Sequence, residues 1–310
     1  MWGRVPRTYP AAEPPPRPAA GHDGKGGNVL RRTPVTGILG VPGAHLYYEV
    51  RGSGPALLVI ATGNGDAAPF GFMADLLADR YTVITYDRRG FSRSPQHEEV
   101  PDERRVEVDV QDAEALLDHL ADGPAHVLGT CSGGVTALAL LAASPDRVRT
   151  LVSHEPPLTV LLPDADEWTA FYDELYDVYR TQGVDPAKEL FKNTMGLGDT
   201  RPPKGAELPP DRLAEMLDRL RVNQVFWFEH ELRTFTNHDL DVDALAAAAD
   251  RLVLGGGTAS REDVNYRPNA ALAERLGLEV VDFPGGHLGY VTHPHEFAEV
   301  LAGVLRRPDA

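Results

Sequence analysis

Residues 126–135 have the sequence H-V-L-G-T-C-S-G-G-V, in which a short apolar run leads into small and polar residues. This order predicts a strand, a sharp turn and a helix. Gly129 and Gly133 lie two positions before and two positions after Cys131. The central residue of so tight a turn has strained backbone angles, and a larger side chain at either flank would collide with the neighbouring strand or helix. The stretch therefore places Cys131 at the tip of the turn.

The spacing fits the pattern G-x-nucleophile-x-G, which holds a reactive side chain at the start of a helix. Serine is the usual nucleophile of this pattern, whereas this chain has Cys131. Ser132 is a rival nucleophile, but its frame would put Thr130 where the first glycine is required. A thiol with an ordinary pKa of about 8.5 is mostly protonated at neutral pH, and a helix N-terminus and a nearby imidazole both favour the thiolate. We therefore predict Cys131 as the nucleophile.

Composition limits the kinds of partner that the chain can bind. The length of 310 residues suits one large domain or a domain with an inserted subdomain, and 42% hydrophobic and 25% charged residues are ordinary for a globular protein. The net charge of -16 argues against nucleic acid and against an anionic membrane, because both require clustered Lys and Arg. We expect the partner to be a small-molecule substrate. The oligomeric state stays open, with a homodimer as one alternative.

Cysteine content and hydropathy indicate the compartment. A single cysteine cannot form an internal disulfide, so nothing points to an oxidising environment. The N-terminus lacks the apolar segment of a signal peptide, and no stretch approaches the ~18 consecutive apolar residues of a membrane span. We therefore predict a soluble, cytoplasmic protein that needs no cofactor.

The chain divides into a tail, a core and an insertion. Residues 1–33 are rich in Pro and Gly without periodicity, and we predict a disordered tail there. Residues 34–157 and 241–310 alternate strands with helices, which predicts a mostly parallel sheet with helices on both faces. Residues 158–240 carry helical patterns without strands, which predicts a helical cap inserted into the core.

Local patterns predict the individual elements. Residues 44–50 and 56–61, separated by the turn G-S-G-P, predict a hairpin that leads into a buried strand. Further strands are predicted at 81–87, before Cys131, at 147–155, at 251–257 and at 278–283. Within the cap, the aromatic side chains of 168–179 recur at helical spacing.

The order of motifs resembles the α/β-hydrolase fold over about residues 35–306. The motifs are T-G-N-G-D at 62–66, D-R-R-G-F-S at 87–92, the turn at Cys131, the helical insertion, and P-G-G-H at 284–287. The resemblance implies an α/β fold with an eight-stranded, mostly parallel sheet, helices on both faces and an inserted helical cap.

The same resemblance implies roles for single residues. His287, after the last strand, is implied as the catalytic histidine, and Asn64 and Ser132 as the N–H donors of the oxyanion hole. A cysteine nucleophile is similar to that of the dienelactone hydrolases of this fold.

The acid of a catalytic triad departs from the family pattern. The family usually has Asp or Glu just after the strand ending at Leu254, where this chain has Ala259. We favour Glu155, at the end of the strand after the Cys131 turn, because the third group must reach the far nitrogen of the histidine. Asp263, with its neighbour Glu262, is the alternative acid. A dyad also stays open, because a thiolate can pair with histidine alone.

Other side chains have less specific signals. Trp168, Tyr172 and Trp227 are candidate substrate-binding residues, although aromatic residues at helical spacing more often form the core of a cap. Arg88 and Arg89 are more typical of turn anchors than of substrate ligands. His293 and His295 lack neighbouring ligands, so we predict surface histidines and no metal site. These details add little to the assignment of the function.

The favoured function is hydrolysis of an ester, lactone or thioester of a small apolar or aromatic substrate, through a thioacyl intermediate on Cys131, with His287 as general base and acid. An acyltransferase or a non-hydrolytic rearrangement enzyme on the same scaffold is the first alternative. A non-catalytic ligand-binding relative is the second.

Overall fold

The computed structural model describes residues 33–198 and 200–306. The strands are β1 (Val35–Val41), β2 (Ala44–Arg51), β3 (Ala56–Ile60), β4 (Thr82–Tyr86), β5 (Ala125–Thr130), β6 (Val148–His154), β7 (Leu252–Gly257) and β8 (Val280–Phe283). The helices are α1 (Gly71–Leu77), α2 (Arg105–Leu120), α3 (Ser132–Ala143), α4 (Ala165–Gln182), α5 (Val184–Thr194), α6 (Pro210–His230), α7 (Leu232–Thr236), α8 (Val242–Ala247), α9 (Arg267–Leu276), α10 (Gly289–Thr292) and α11 (Pro294–Leu305). The tail predicted over 1–33 lies, except for residue 33, outside the described residues.

All eight strands form one sheet in the order β1-β2-β4-β3-β5-β6-β7-β8. β2 pairs antiparallel with β1 and β4, and every other neighbouring pair is parallel. The predicted fold class, a mostly parallel eight-stranded α/β sheet, is confirmed. Because the carboxyl ends of parallel strands meet at one edge, the loops after β3, β5, β6, β7 and β8 converge there.

The predicted hairpin of residues 44–50 with 56–61 is wrong, because β4 lies between β2 and β3. The observed hairpin joins β1 to β2 through Gly43, whose φ of 74° favours glycine. A turn signal at 52–55 shows that the chain reverses there, but it does not show which strand lies next to it.

Apolar side chains fill both faces of the sheet, and alternate residues of a strand point to opposite faces. Leu58 and Ile60 of β3 join the cluster under α2, α3, α8 and α9. Leu57 and Val59 of the same strand join the cluster under α1 and α11. Both faces are therefore covered by helices, as a parallel sheet requires.

Helices α4 to α7 lie between β6 and β7 in the chain, and we call residues 165–236 the cap helices. They share an apolar cluster that includes Tyr172, Leu175, Phe228 and Leu232. α8 packs against α3, so the layers of the sheet resume after α7. None of the described helices combines the length and the apolar character that crossing a bilayer requires.

Candidate active site

Cys131 lies between the end of β5 and the first turn of α3, with φ at 52° and ψ at -125°. Its N–H donates to the carbonyl of His154 on the adjacent strand (3.0 Å). A Cβ atom added to Gly129 would lie 2.2 Å from the carbonyl oxygen of Gly133, and one added to Gly133 would lie 2.3 Å from the carbonyl oxygen of Ile60. These glycines are therefore required by close backbone approach, and they let the turn present Cys131 at the edge of the sheet.

His287 lies in the loop between β8 and α10 and connects two groups. Its Nδ1 lies 2.8 Å from Oε2 of Glu155, and the ring also hydrogen-bonds the sulfur of Cys131. Oε1 of Glu155 accepts from the N–H of Gly257 (2.7 Å) and from the hydroxyl of Ser260. Because both carboxylate oxygens of this buried side chain are engaged, Glu155 fixes the orientation of the imidazole.

The charges of these three side chains stabilise one another. Burial opposes ionisation of all three, but their mutual contacts outweigh it. The imidazolium of His287 and the N–H groups of Gly63 and Ser132 lower the pKa of Cys131 below its ordinary value. The thiolate and Glu155 raise the pKa of His287 to about 10, and contacts with His287 and Ser260 lower the pKa of Glu155 to about 2. These pKa shifts all favour the charged forms of the three side chains over their neutral forms.

The structure separates the candidate acids. Glu155, at the end of β6, bonds to His287, whereas the carboxylate of Asp263 lies against Gly196 of the cap and Glu262 is exposed. Burial and the nearby charges of Glu155 and Glu262 raise the pKa of Asp263. Ala259 stands in the loop after β7 and donates its N–H to the carbonyl of Gly285 (2.8 Å). Of these candidate acids, Glu155 is the one whose carboxylate hydrogen-bonds His287.

Two backbone N–H groups point at the sulfur, and one of them differs from the prediction. Ser132 is one donor, as expected for the first residue of α3, and Gly63 is the other. The N–H of Asn64 instead donates to the hydroxyl of Thr62 (3.2 Å), and the Asn64 side chain is exposed. In the loop after β3 the donor is therefore Gly63, one residue before the predicted Asn64, because the N–H of Asn64 is donated to the Thr62 hydroxyl. The sequence motif T-G-N-G could not distinguish the two amides.

A small cavity lies between Cys131 and the cap helices. Its volume is about 20 Å³, enough for about one water molecule. Its lining comprises Cys131, Ser132, Pro157, Tyr172, Phe191, Met195, Trp227, Glu231, Leu232, Phe235, Thr236, Asn265 and His287. The core contributes Cys131 and His287, and the cap contributes mainly aromatic and aliphatic side chains together with Glu231.

Of the three predicted substrate-binding residues, two line the cavity and one does not. Tyr172 and Trp227 line the cavity, and a Cβ atom added to Gly63 would lie 2.4 Å from Nε1 of Trp227. Trp168 lies outside the lining; its indole N–H donates to Asp164 (3.1 Å) and its ring packs edge-on against Phe171. Trp168 therefore belongs to the packing of the cap.

Sequence reasoning missed Gly63 and Glu231 as residues of the site. Glu231 lies between α6 and α7 in the run E-H-E, which is indistinguishable from the charged surface of a helix. Among the described residues, no group of three or more His, Cys, Asp or Glu side chains is arranged to hold a metal ion. His293 and His295 are both exposed.

Comparison with known proteins adds the family. The family model for the α/β-hydrolase fold matches residues 55–294. The uncharacterized hydrolase YraK of Bacillus subtilis (strain 168) is 36% identical over 277 residues, which are 87% of this chain and 96% of that protein. A zearalenone hydrolase of Bionectria ochroleuca is 29% identical over 268 residues, or 84% of this chain and 94% of that protein.

Among solved structures, a thermophilic esterase from Thermogutta terrifontis is similar in fold. Its TM-score is 0.67 at 18% identity, and the match covers 90% of this chain and 100% of that one. The family model spans most of the chain, and the eight-stranded, mostly parallel sheet is consistent with it. The chain therefore belongs to the α/β-hydrolase fold family.

Proposed function

We propose that this protein is a hydrolase of an ester, lactone or thioester with a small apolar or aromatic acyl group, and that Cys131 carries the acyl group as a thioester. One observation carries the proposal: Cys131 stands at the tip of the turn between β5 and α3 and lines one cavity with His287, whose Nδ1 lies 2.8 Å from Glu155. His287 and the N–H groups of Gly63 and Ser132 also lower the pKa of the thiol, against the burial that raises it. A merely structural cysteine would have apolar neighbours and an inert thiol.

Acylation follows from this arrangement. The Cys131 thiolate attacks the carbonyl carbon, a C–S bond forms, and the carbonyl π electrons move to oxygen. The N–H groups of Gly63 and Ser132 stabilise that oxyanion. When the tetrahedral intermediate collapses, the bond to the leaving group breaks and His287 gives its proton to the leaving oxygen or sulfur.

Deacylation uses the same groups in the reverse roles. His287, now neutral, accepts a proton from water as the water oxygen attacks the thioester carbonyl. The C–S bond breaks, the Cys131 thiolate is restored beside the imidazolium, and the acid product leaves. Glu155 stays ionised throughout and keeps the Nδ1 proton of His287 in place.

Two relatives support hydrolysis as the reaction class, since both are named hydrolases and both match nearly their whole length. The cavity supports the substrate class, because its cap side is formed mainly by Tyr172, Phe191, Trp227 and their apolar neighbours. Acyl transfer is the second candidate. The cavity holds about one water molecule, so an alcohol or amine that displaced this water would receive the acyl group from Cys131 instead.

The test is hydrolysis of a panel of aryl esters and lactones by the wild type and by the variants Cys131→Ala and Ser132→Ala. Cys131→Ala should lose nearly all activity. Ser132→Ala keeps its backbone N–H and should stay within about 10-fold of the wild type, the low end of a positioned acid–base effect. Adding alcohol or amine acceptors separates hydrolysis from transfer, because only transfer changes the product.

Equal activity of Cys131→Ala and the wild type would overturn the proposal. A larger loss in Ser132→Ala than in Cys131→Ala would move the nucleophile to Ser132.

A further inference from the structure

Arg88 follows β4, and its buried guanidinium joins the core to the cap. Nε and Nη2 bond to Oδ2 of Asp109 on α2 (3.0 and 2.5 Å). Nη1 and Nη2 bond to the two carboxylate oxygens of Glu231, between α6 and α7 (3.0 and 2.7 Å). One cation thus bridges two carboxylates from different parts of the molecule, a contact far more constrained than a turn anchor.

The same guanidinium reaches the backbone beside the reacting sulfur. Nη1 of Arg88 donates to the carbonyl oxygen of Thr62 (3.1 Å). That carbonyl and the N–H of Gly63 belong to one peptide group, which is planar and trans, so its C=O and N–H point in opposite directions. Holding the oxygen on the Arg88 side therefore turns the N–H toward Cys131. A hydrogen bond to the carbonyl also polarises the amide and strengthens its N–H as a donor.

We propose that Arg88 is a positioning residue that aims the Gly63 N–H at the reacting centre, and that Glu231 transmits the position of the cap helices to this amide through Arg88. The inference rests on the proposed roles of Cys131 and Gly63. It assigns a part in the reaction to a pair of residues whose described hydrogen bonds include none to Cys131 or His287. The position of the cap helices and the completion of the oxyanion hole are then coupled through these two residues.

Arg89 provides a control, because it is the next residue of the chain and also pairs with a carboxylate of α2. It is also buried and forks onto a carboxylate, that of Asp112 (2.8 and 2.5 Å), and it donates to the carbonyl of Pro42 (2.8 Å). Its described hydrogen bonds include none to residues 62–63 or to the cap helices. A change in kcat that follows only from the loss of a buried, paired guanidinium should therefore appear at Arg89 as well as at Arg88.

The experiment compares Arg88→Lys with Arg89→Lys. Lysine keeps the charge but cannot hold two carboxylates and a carbonyl in one fork. We expect Arg88→Lys to lower kcat by about 10-fold or more with little change in KM, less than the 10²–10³-fold cost of removing an oxyanion donor outright. The pKa of the Cys131 thiol, followed by the pH dependence of its alkylation, should rise. Arg89→Lys should lose comparable thermal stability without changing kcat or the thiol pKa.

A second pair of variants tests the link to the cap. Glu231→Gln should raise the thiol pKa and lower kcat less than Arg88→Lys does, because Asp109 still holds Arg88. Its control is Asp164→Asn, which breaks the ion pair of Asp164 in the cap with Arg267 in the core (2.6 and 2.9 Å) and leaves Arg88 intact. That control should leave the thiol pKa unchanged. This pair decides the question if Arg88→Lys does not fold.

Equal changes in kcat at Arg88 and Arg89, or an unchanged thiol pKa in both Arg88→Lys and Glu231→Gln, would overturn the inference. Its failure is distinguishable from failure of the proposed function. If the wild type formed no thioester, the nucleophile assignment would fall, whereas the thiol pKa would still report whether Arg88 orients the amide.

Discussion

The two walls of the cavity hold their side chains in different ways. On the core wall, Cys131, His287 and Glu155 follow directly after strands or lie in short loops, and backbone N–H groups and ion pairs fix them. On the cap wall, Tyr172, Phe191 and Trp227 come from separate helices and pack through ring contacts. Hydrogen bonds and ion pairs therefore hold the side chains of the core wall, whereas apolar packing holds the aromatic side chains of the cap wall.

This difference separates chemistry from selectivity. Groups on the core wall are placed to act on charge that develops in the transition state, so their loss should appear in kcat. We expect the aromatic groups of the cap wall to contact a substrate equally before and during the reaction, so their loss should appear in KM. Substitutions on each wall test this division between effects on kcat and effects on KM.

The largest expected effect of the three substitutions that follow is at His287. His287→Ala removes both the general acid and the counter-ion of the thiolate, and kcat should fall by about 10²–10⁴-fold. The imidazolium and its hydrogen bond lower the pKa of Cys131 in the wild type, so the thiol pKa should rise toward about 8.5 in the variant. Alkylation of Cys131 should then be slow at pH 7 and accelerate as the pH rises through that value. An alkylation profile identical to that of the wild type would contradict the ion pair.

A smaller loss is expected at Glu155. Glu155→Gln keeps the shape of the side chain but removes the carboxylate charge that faces Nδ1 of His287. We therefore expect kcat to fall by about 10-fold or more. Asp263→Asn is the matched control, because Asp263 lies against Gly196 rather than on the imidazole. Its kcat should stay near that of the wild type. The opposite ranking of the two variants would restore Asp263 as the acid.

Glu155 also has a predicted signature in stability. Its pKa in the folded protein, about 2, lies below the ordinary value of 4.5. A depressed pKa means that the ionised group stabilises the fold above pH 4.5, and that this contribution is lost as the pH falls toward 2. The difference in free energy of unfolding between the wild type and Glu155→Gln should therefore shrink over that range. Denaturant unfolding at several pH values measures it, and a constant difference would contradict the pairing.

The smallest effect is expected on the cap wall. Trp227→Leu removes part of the apolar surface beside Gly63, and KM should rise by about 10-fold, equivalent to about 1.4 kcal/mol, with kcat within a few-fold. Trp168→Leu is the control, because Trp168 packs within the cap and away from the cavity. Its KM should be unchanged. A loss confined to kcat in Trp227→Leu would show that the cap wall also takes part in the chemistry.

The same contrast explains what could be predicted from the sequence. The strand, turn and helix around Cys131 follow from the local pattern of apolar and small residues. A Cβ atom on Gly129 would meet Gly133, four residues away, whereas one on Gly133 would meet Ile60 of β3. The order of motifs predicts the fold, and it favours Glu155 as the acid because this residue ends the strand after the Cys131 turn and the third group must reach the far nitrogen of the histidine.

Contacts between distant segments were not predictable in this way. Glu231 lies 143 positions from Arg88 and looks like one more surface charge of a helix until the cap is folded over the core. The shift of the backbone donor from Asn64 to Gly63 depends on the direction of a single amide, which Thr62 and Arg88 set. The turn at 52–55 likewise left the neighbour of β2 undetermined.

The central claim is that Cys131 carries the acyl group, and tandem mass spectrometry of the acid-quenched enzyme after a brief incubation with an activated aryl ester tests it most directly. We predict one acyl group per chain, located on Cys131, absent in Cys131→Ala and retained in Ser132→Ala. An adduct on Ser132, or equal labelling of the wild type and Cys131→Ala, would contradict the account.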